Sequence, residues 1–583
     1  MGNYRNFTLA TYFVAHAAAR ITREELEGQL DFVLRHLKLD KVYLEPWRGE
    51  LAPHEQIEMI REAFESRGVR VAGGLTTVIP TPEGAKPKTR LFDTFCYNDP
   101  AMLSKLKEAV TFTASHFDEF IIDDFFFTNC TCADCVREKD AFKLKNGIAD
   151  GSWEKYRLDL LKRVSAEYIL EPARKTNPAC KVTIKYPNWA ESYQETGYNP
   201  AEQRKQFDMV YTGTETRDPV TTDQHLPRYL SFSLMTYFEN MWPGHNGGGW
   251  FDNFDTHITE QYLEQAYLTA FSRPRELMVF CFQSMADHMY TPALGYQLEK
   301  LDRVLDDAGT PAGIACYLPD NSQGEDNVQD FLGMNGLPVV CTPYFPDQAD
   351  QILLTRSAAC DQDILNRLEA FLLRGGKALI TSGFVDATQE KGIERFTSIR
   401  MRGRSVMADR YRVEEAERHG CLYPYGEKPV SLPVLEFRNN STWAVVKGAH
   451  DEESYGLLLR DHVGEGCLWT ISIPDAFPDL YRLPEAVWSR IRQAFPVNGV
   501  WLEGAPRISL FIYDNDSLIV YPYVMDHVQR QVIRLHVRGA TALTVPAEKR
   551  QRRITPTYIL GDEAVFELEA KPGKYTLYHI ERA

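Results

Sequence analysis

From Phe7 to about Gly309 the chain alternates short apolar runs with longer stretches in which apolar residues recur at i, i+3 and i+4. The short runs cover residues 7–15, 41–45, 69–75, 120–127, 181–186, 209–213, a weaker one around Trp250, and 277–283. Their length and their β-branched and aromatic content predict strands. The spaced stretches at 24–37, 55–67, 102–114, 156–171 and 259–271 predict amphipathic helices. Eight strand-helix units in one half of the chain predict a (β/α)8 TIM barrel, with its active site at the carboxyl ends of the strands. A doubly wound open sheet is the alternative fold for the same alternation.

After the barrel, GIACYLPDNSQGEDNVQDFLGMNGLPVV reads as strand, helix, strand, and LNRLEAFLLRGGKALITSGF as helix, glycine turn, strand. With a strand at 467–473 and a helix at 484–495, this is α/β structure wound on a parallel sheet. From about Trp501 the helices stop. RISLFIYDNDSLIVYPYV, QVIRLHVRG, AVFELEA and GKYTLYHIE alternate in strand fashion, DND marks a hairpin turn, and a small antiparallel β-sandwich is expected. The expected domains are therefore 1–309, 310–500 and 501–583.

With 583 residues, 44% hydrophobic and 25% charged, the chain is too long for one core and has the make-up of a soluble globular protein. A net charge of -16 argues against a nucleic-acid or other polyanion partner, and the basic run at 549–553 reads as a solvated loop. No window reaches about eighteen uninterrupted apolar residues, so neither a spanning helix nor a membrane partner is expected. The start, MGNYRNFTLATYFVAH, lacks the basic stretch, apolar core and cleavage site of a signal peptide. The eleven cysteines are odd in number and cluster locally instead of forming a disulfide framework, which fits a reducing compartment and predicts a cytoplasmic protein.

Two kinds of chemistry meet between Asp118 and Cys135, in DEFIIDDFFFTNCTCADC. Asp123 and Asp124 interrupt an apolar run, and adjacent carboxylates at the end of a buried strand are tolerated where they meet water, metal, a basic partner or a substrate. Adjacent side chains on a strand point opposite ways, so only one of the two need face a site. Cys130, Cys132 and Cys135 follow as C-x-C-x-x-C, a spacing that lets three thiolates converge on one ion. Zinc in sulfur sites is tetrahedral and needs a fourth ligand, for which Cys96 in FCYNDP is the best candidate. A closed four-thiolate Zn2+ site is structural. Three unmetallated buried thiols are the other reading.

Under the barrel register, the strand ends become an inventory of the site. They supply Glu45, Trp47 and Arg48; Asp123 and Asp124; Lys185, Tyr186 and Trp189; Glu215, Arg217 and Asp218; and Trp250, Asp252 and Asp255. Recurring carboxylates, cations and tryptophans are what a sugar site requires. Carboxylates act as acid, base or nucleophile, and aromatic faces cover the apolar faces of a pyranose. Asp124 and Glu215 are the first choice for the catalytic pair. Glu45, Arg48, Asp123, Lys185, Tyr186, Arg217, Trp250 and Asp252 are expected to bind the sugar. Asp252 and Asp255, behind the glycines 247–249 read as a mobile loop, are the competing pair.

The two cysteine motifs, FCYNDP and CTCADC, resemble those of the family 42 glycoside hydrolases, three-domain β-galactosidases with a metal-bound barrel and a trimerisation domain. The resemblance implies a zinc-bound barrel holding Cys96, Cys130, Cys132 and Cys135. It also implies a glutamine-amidotransferase-like second domain and a homo-oligomer, a trimer or dimer. That family ends its fourth strand in Asn-Glu, the Glu being the acid/base, whereas this chain has Asp123-Asp124. In the second domain the strand expected to carry an amidotransferase cysteine ends ITSGF instead.

An Asp nucleophile on strand four with an acid/base on strand six looks like the use of the barrel by the α-galactosidase superfamily. The expected function is thus an exo-acting glycoside hydrolase on a small carbohydrate, galactoside-like or anionic. Arg48, Lys185 and Arg217 supply the cations an anionic sugar would need. The alternatives are a sugar-binding barrel without catalysis and a metal-dependent hydrolase of another bond.

Overall fold

The computed structural model describes residues 3–78, 95–149, 151–218, 226–415, 420–450, 453–524, 531–546 and 552–582. The eight apolar runs form the strands of a closed parallel barrel: β1 (Thr8–Phe13), β2 (Lys41–Leu44), β3 (Arg70–Leu75), β4 (Glu119–Ile122), β5 (Lys181–Tyr186), β6 (Met209–Gly213), β7 (Asn246–Asp252) and β8 (Glu276–Phe280). Each strand pairs with its sequence neighbours, and β8 closes on β1 with Thr8 opposite Glu276. Helices α1 (Arg23–His36), α2 (His54–Glu65), α3 (Pro100–His116), α4 (Ala133–Asn146), α5 (Glu154–Val164), α6 (Thr259–Phe271) and α7 (Tyr290–Leu305) lie among the connections. Local signals set their starts. Thr22 and Glu25 form a reciprocal capping box at α1, and the Asp99 carboxylate accepts the Ala101 N–H at the head of α3.

Period-two alternation decides what fills the barrel. Ala10, Tyr12, Tyr43, Ala72, Ile121, Tyr211, Trp250 and Met278 pack as one interior cluster. Toward the amino ends of the strands, Lys41 is plugged between Glu119, at 2.6 Å, and Glu276, at 3.0 Å, and donates to the Tyr43 hydroxyl. The aromatic layer therefore has an ion-paired floor on one side. The other side is the candidate site.

Two expectations about the barrel change. Residues 247–249 are not a mobile loop, because they lie inside β7 and are buried. A side chain at Gly248 would sit 2.3 Å from the Glu276 carbonyl, so glycine here serves close strand packing. The acidic strand is also shorter than its apolar run. It ends at Ile122, and Phe125 to Phe127 belong to the following loop.

Residues His225–Met241 and Val304–Ala583 make a second unit, separate from the barrel unit Met1–Gln224 and Trp242–Arg303. Its main sheet has a parallel half, in the order Val339–Thr342, Ile314–Tyr317, Gln351–Leu354, Lys377–Thr381 and Gly466–Ile471. Beyond that, Glu453–Val463, Trp443–His450, Arg400–Glu414 and Tyr425–Glu436 extend it antiparallel. The sequence pattern did not announce this second half. Arg400–Glu414 buries only three of its fifteen residues, so it carries little of the apolar alternation that marks a strand packed on a core. The chain closes in two antiparallel sheets, of six and four strands, and Asp514, Asn515 and Asp516 make the expected turn between Ile508–Tyr513 and Ser517–Pro522. Of the basic run 549–553, only Arg552 and Arg553 are among the described residues, in the strand Arg552–Ile554.

Candidate active site

The interior phase of the barrel carries on past the strand ends. Glu45 is in step with Tyr43, Asp123 with Ile121, Glu215 with Tyr211, and Asp252 with Trp250, so the rim carboxylates continue the rows that fill the core. Lys185 is the centre of the group. Its ammonium lies 2.6 Å from Asp124 Oδ2, 3.5 Å from Asp123 Oδ1, 3.7 Å from Glu215 Oε1 and 4.0 Å from the centre of the Trp250 ring.

Both aspartates reach it because the strand stops between them and the core. The Asp123 N–H makes a final bond to the Leu75 carbonyl at 2.9 Å, and the chain then turns at Asp124. Three bonds hold that turn. The Asp124 N–H donates to Asp123 Oδ1 at 2.8 Å, Tyr198 OH to the Asp124 carbonyl at 2.6 Å, and Thr77 Oγ1 to the Phe125 carbonyl at 2.6 Å.

On one flank, Glu45 accepts from Tyr12 OH, the Ala15 N–H and Arg48 Nε, so it positions Arg48 and has little capacity left for a sugar. Arg48 also donates to Thr76 Oγ1 at 3.0 Å and approaches Asp123 to 3.9 Å. On the other flank, Arg217, in a left-handed backbone conformation (φ 49), grips Asp252 bidentately at 3.0 and 2.7 Å. Tyr186, expected at the sugar, faces away from Lys185. It is one residue out of phase, donates to Gln203 Oε1 at 3.0 Å, and packs between Tyr193 and Tyr198.

Burial dominates the electrostatics. It pushes the Asp124 carboxyl up to about 8, with Lys185 opposing and Asp123 and Glu215 adding. It raises Glu215 as well, again against Lys185. Burial works against the Lys185 charge, but Asp124, Glu215 and Asp123 more than offset it, and the amine stays an ammonium. Asp124 and Glu215 share one cation and titrate as a pair. Lys185 is nearer Asp124, which favours the charge there and the proton on Glu215. Glu215 Oε2 has no hydrogen-bond partner among the described residues.

Lys185→Met is expected to leave three carboxyl groups clustered around no ammonium. Unfolding free energy should fall by about 3 to 5 kcal/mol at neutral pH. Carboxyls with raised pKa bind protons on folding, so their stabilising contribution is present below the ordinary carboxyl range and lost as pH rises. The deficit should therefore shrink in acid. Urea titrations of variant and wild type at pH values on either side of neutrality check both parts.

The cysteines form a second cluster, at the loop that follows Asp124. Cys96, Cys130, Cys132 and Cys135 place their sulfurs within 4.8 Å of one another, with Cys96 3.7 Å from Cys132 and 3.5 Å from Cys135. A tetrahedron with zinc-sulfur bonds of about 2.3 Å has edges of about 3.8 Å, so the four can hold an ion such as zinc. Asn98 Nδ2 donates to the Cys135 sulfur at 3.2 Å, the outer-shell bond such sites use.

A family model described as "Probable glycosyl hydrolase, catalytic domain" matches residues 1–301. The chain belongs to this family. A further model, "Uncharacterized protein SSO3021, second domain", matches residues 309–476. The uncharacterized protein SSO3021 of Saccharolobus solfataricus is 23% identical over 509 residues, 82% of this chain and 83% of that protein. Among solved structures, a catalytic mutant of Gan42B, a GH42 β-galactosidase from G. stearothermophilus, superposes with a TM-score of 0.65 at 11% identity, over 99% of each chain. The α-L-fucosidase isoenzyme 2 from Paenibacillus thiaminolyticus gives 0.63 at 13%, over 100% of each. At such identities the likeness establishes the fold, which this glycosyl hydrolase shares with GH42 enzymes along its whole length.

Several residues at or near the candidate site escaped the sequence reading. Thr76 bridges Tyr12, Arg48 and Asp123, and its signal was only a threonine after the GGL of β3. Tyr198 is far from any strand end. Phe254 is the exposed aromatic residue of the β7 loop, at 43%, with its ring 5.8 Å from Phe280, whereas Trp47, Trp189 and Trp250 are all buried. Trp250 nonetheless lies under the Lys185 ammonium, 4.0 Å from its ring centre.

Proposed function

We propose that this glycosyl hydrolase removes a terminal residue from a small glycoside or oligosaccharide, with Asp124 as nucleophile and Glu215 as acid/base. The observation that carries the reading is the Lys185 ammonium, which holds one oxygen of each carboxyl at 2.6 and 3.7 Å. Those oxygens can be no further apart than the two distances combined, which suits the ~5 Å spacing of a retaining pair. Asp124 attacks the anomeric carbon as Glu215 passes its proton to the departing oxygen, and a covalent glycosyl-enzyme forms. Glu215, now a carboxylate, takes a proton from the incoming water, which displaces Asp124 and restores the starting state.

Each cation described at the mouth is already paired: Arg48 with Glu45, Arg217 with Asp252, and Lys185 with Asp124. That favours a neutral, galactoside-like sugar over an anionic one. A zinc ion on the four cysteines has a structural part here, since a tetrathiolate leaves no coordination position for substrate and so gives no support to a metal-dependent hydrolysis. The eleven free thiols suit a cytoplasmic setting, and the family resemblance supports a homo-oligomer.

A panel of nitrophenyl glycosides tests the function. Turnover of one neutral sugar supports it, and binding without turnover across the panel would make this a sugar-binding barrel. The pH profile is a second check. The alkaline limb of kcat/KM should lie above the ordinary carboxyl range, because burial raises Glu215 and the acid must be protonated to expel the leaving group.

A further inference from the structure

Away from the barrel mouth, α2 presents His54, Glu58 and Arg61 at i, i+4 and i+7, on one face that meets His116 at the end of α3. His54 Nδ1 and His116 Nε2 face each other at 2.9 Å. A Glu58 oxygen completes a set of three ligand atoms that all lie within 4.8 Å of one another.

The His116 ring is fixed from behind. Phe112 stacks on it, with centroids 4.3 Å apart and planes at 30°, and Nδ1 lies 2.8 Å from the Phe112 carbonyl and 3.0 Å from Ser115 Oγ. A carbonyl can only accept, so the proton sits on Nδ1, and the Nε2 lone pair points at His54 and Glu58. This is the outer-shell arrangement that orients an imidazole for a metal.

We propose that His54, Glu58 and His116 form a second metal site, for a divalent cation of the zinc class. Two imidazole nitrogens and a carboxylate oxygen are a donor set that suits such ions, with water completing the coordination. Binding needs two small changes. The facing nitrogens open from 2.9 Å to about 3.3 Å, the edge of a tetrahedron with bonds near 2.0 Å. The His54 proton moves through solvent from Nδ1 to Nε2 of the same ring, so the neutral imidazole becomes a ligand with no proton lost overall. Arg61, 3.5 Å from Glu58, sets a positive charge beside the ion. This site therefore binds more weakly than a tetrathiolate and fills only after the cysteines have. An ion there would tie the first residue of α2 to the last of α3, helices of consecutive barrel units.

The experiment starts from the full chain carrying one equivalent of zinc and adds more zinc by calorimetric titration, with thermal melts alongside. Wild type is expected to take up a second equivalent and to melt at a higher temperature when it does. His54→Gln and His116→Gln should each lose the second uptake and the zinc-dependent rise in Tm while keeping the first equivalent. His54 is exposed, so its variant decides the matter should His116→Gln fail to fold. No second uptake in wild type, or an undiminished second uptake in His54→Gln, overturns the proposal.

Discussion

Asp124→Asn is expected to lower kcat by about 10⁴-fold or more on every glycoside the enzyme accepts, because an amide cannot form the glycosyl ester. Glu215→Gln should behave differently. On a substrate with a poor leaving group it should cost about 10² to 10⁴-fold, the range of general acid catalysis. On a nitrophenyl glycoside, whose leaving group needs no proton, the first step should survive and the glycosyl-enzyme should accumulate as a burst. Comparing a nitrophenyl and an alkyl glycoside of the same sugar in the two variants separates the roles. A reversed pattern would make Asp124 the acid. Full activity in both would end the proposal and turn attention to Asp252, whose carboxylate is gripped by Arg217 at 2.7 and 3.0 Å. Stability provides the control. Burial raises the Asp124 carboxyl, so keeping a charge there opposes folding as pH rises, and any stability the Asn variant loses should shrink toward alkaline pH.

Cys132→Ser is expected to cost about 4 kcal/mol or more of unfolding free energy and to lower activity in parallel. The cysteines are spread over three places: Cys96 before α3, Cys130 and Cys132 in the loop after β4, and Cys135 in the first turn of α4. An ion shared among them would close a loop that begins at Asp124. The same loop is held to the segment after β3 by Thr77, which accepts a further hydrogen bond from Tyr97, next to Cys96. Loosening the clip would therefore reach Asp124, the proposed nucleophile, through a few bonds. Chelation should unfold the barrel and abolish turnover along the same time course, as followed by circular dichroism and by activity. Loss of metal with an unchanged melt would overturn a structural role for the ion.

How much of this was legible beforehand can be judged from particular residues. The barrel was, since eight apolar runs of strand length, separated by amphipathic helical stretches, leave few other ways to bury them. The cysteine cluster was equally legible, because C-x-C-x-x-C is a local spacing and local spacings survive folding. The gathering of Asp123, Asp124, Lys185 and Glu215 could be expected only through the barrel, from the rule that strand ends converge.

Sequence alone determined which residues stand in phase with the core, and that phase carried Glu45, Asp123, Lys185, Glu215 and Asp252 inward while turning Tyr186 away. Tertiary structure decided the rest. Whether Asp124 faced the site depended on where β4 stopped, and that was set by the turn held by Tyr198 and Thr77. Whether Arg48 and Arg217 were open to an anion depended on Glu45 and Asp252 reaching them first. Alternation along a strand is a property of the backbone and can be read one residue at a time. Ion pairing and strand ends depend on partners distant in the chain, and only folding brings those together.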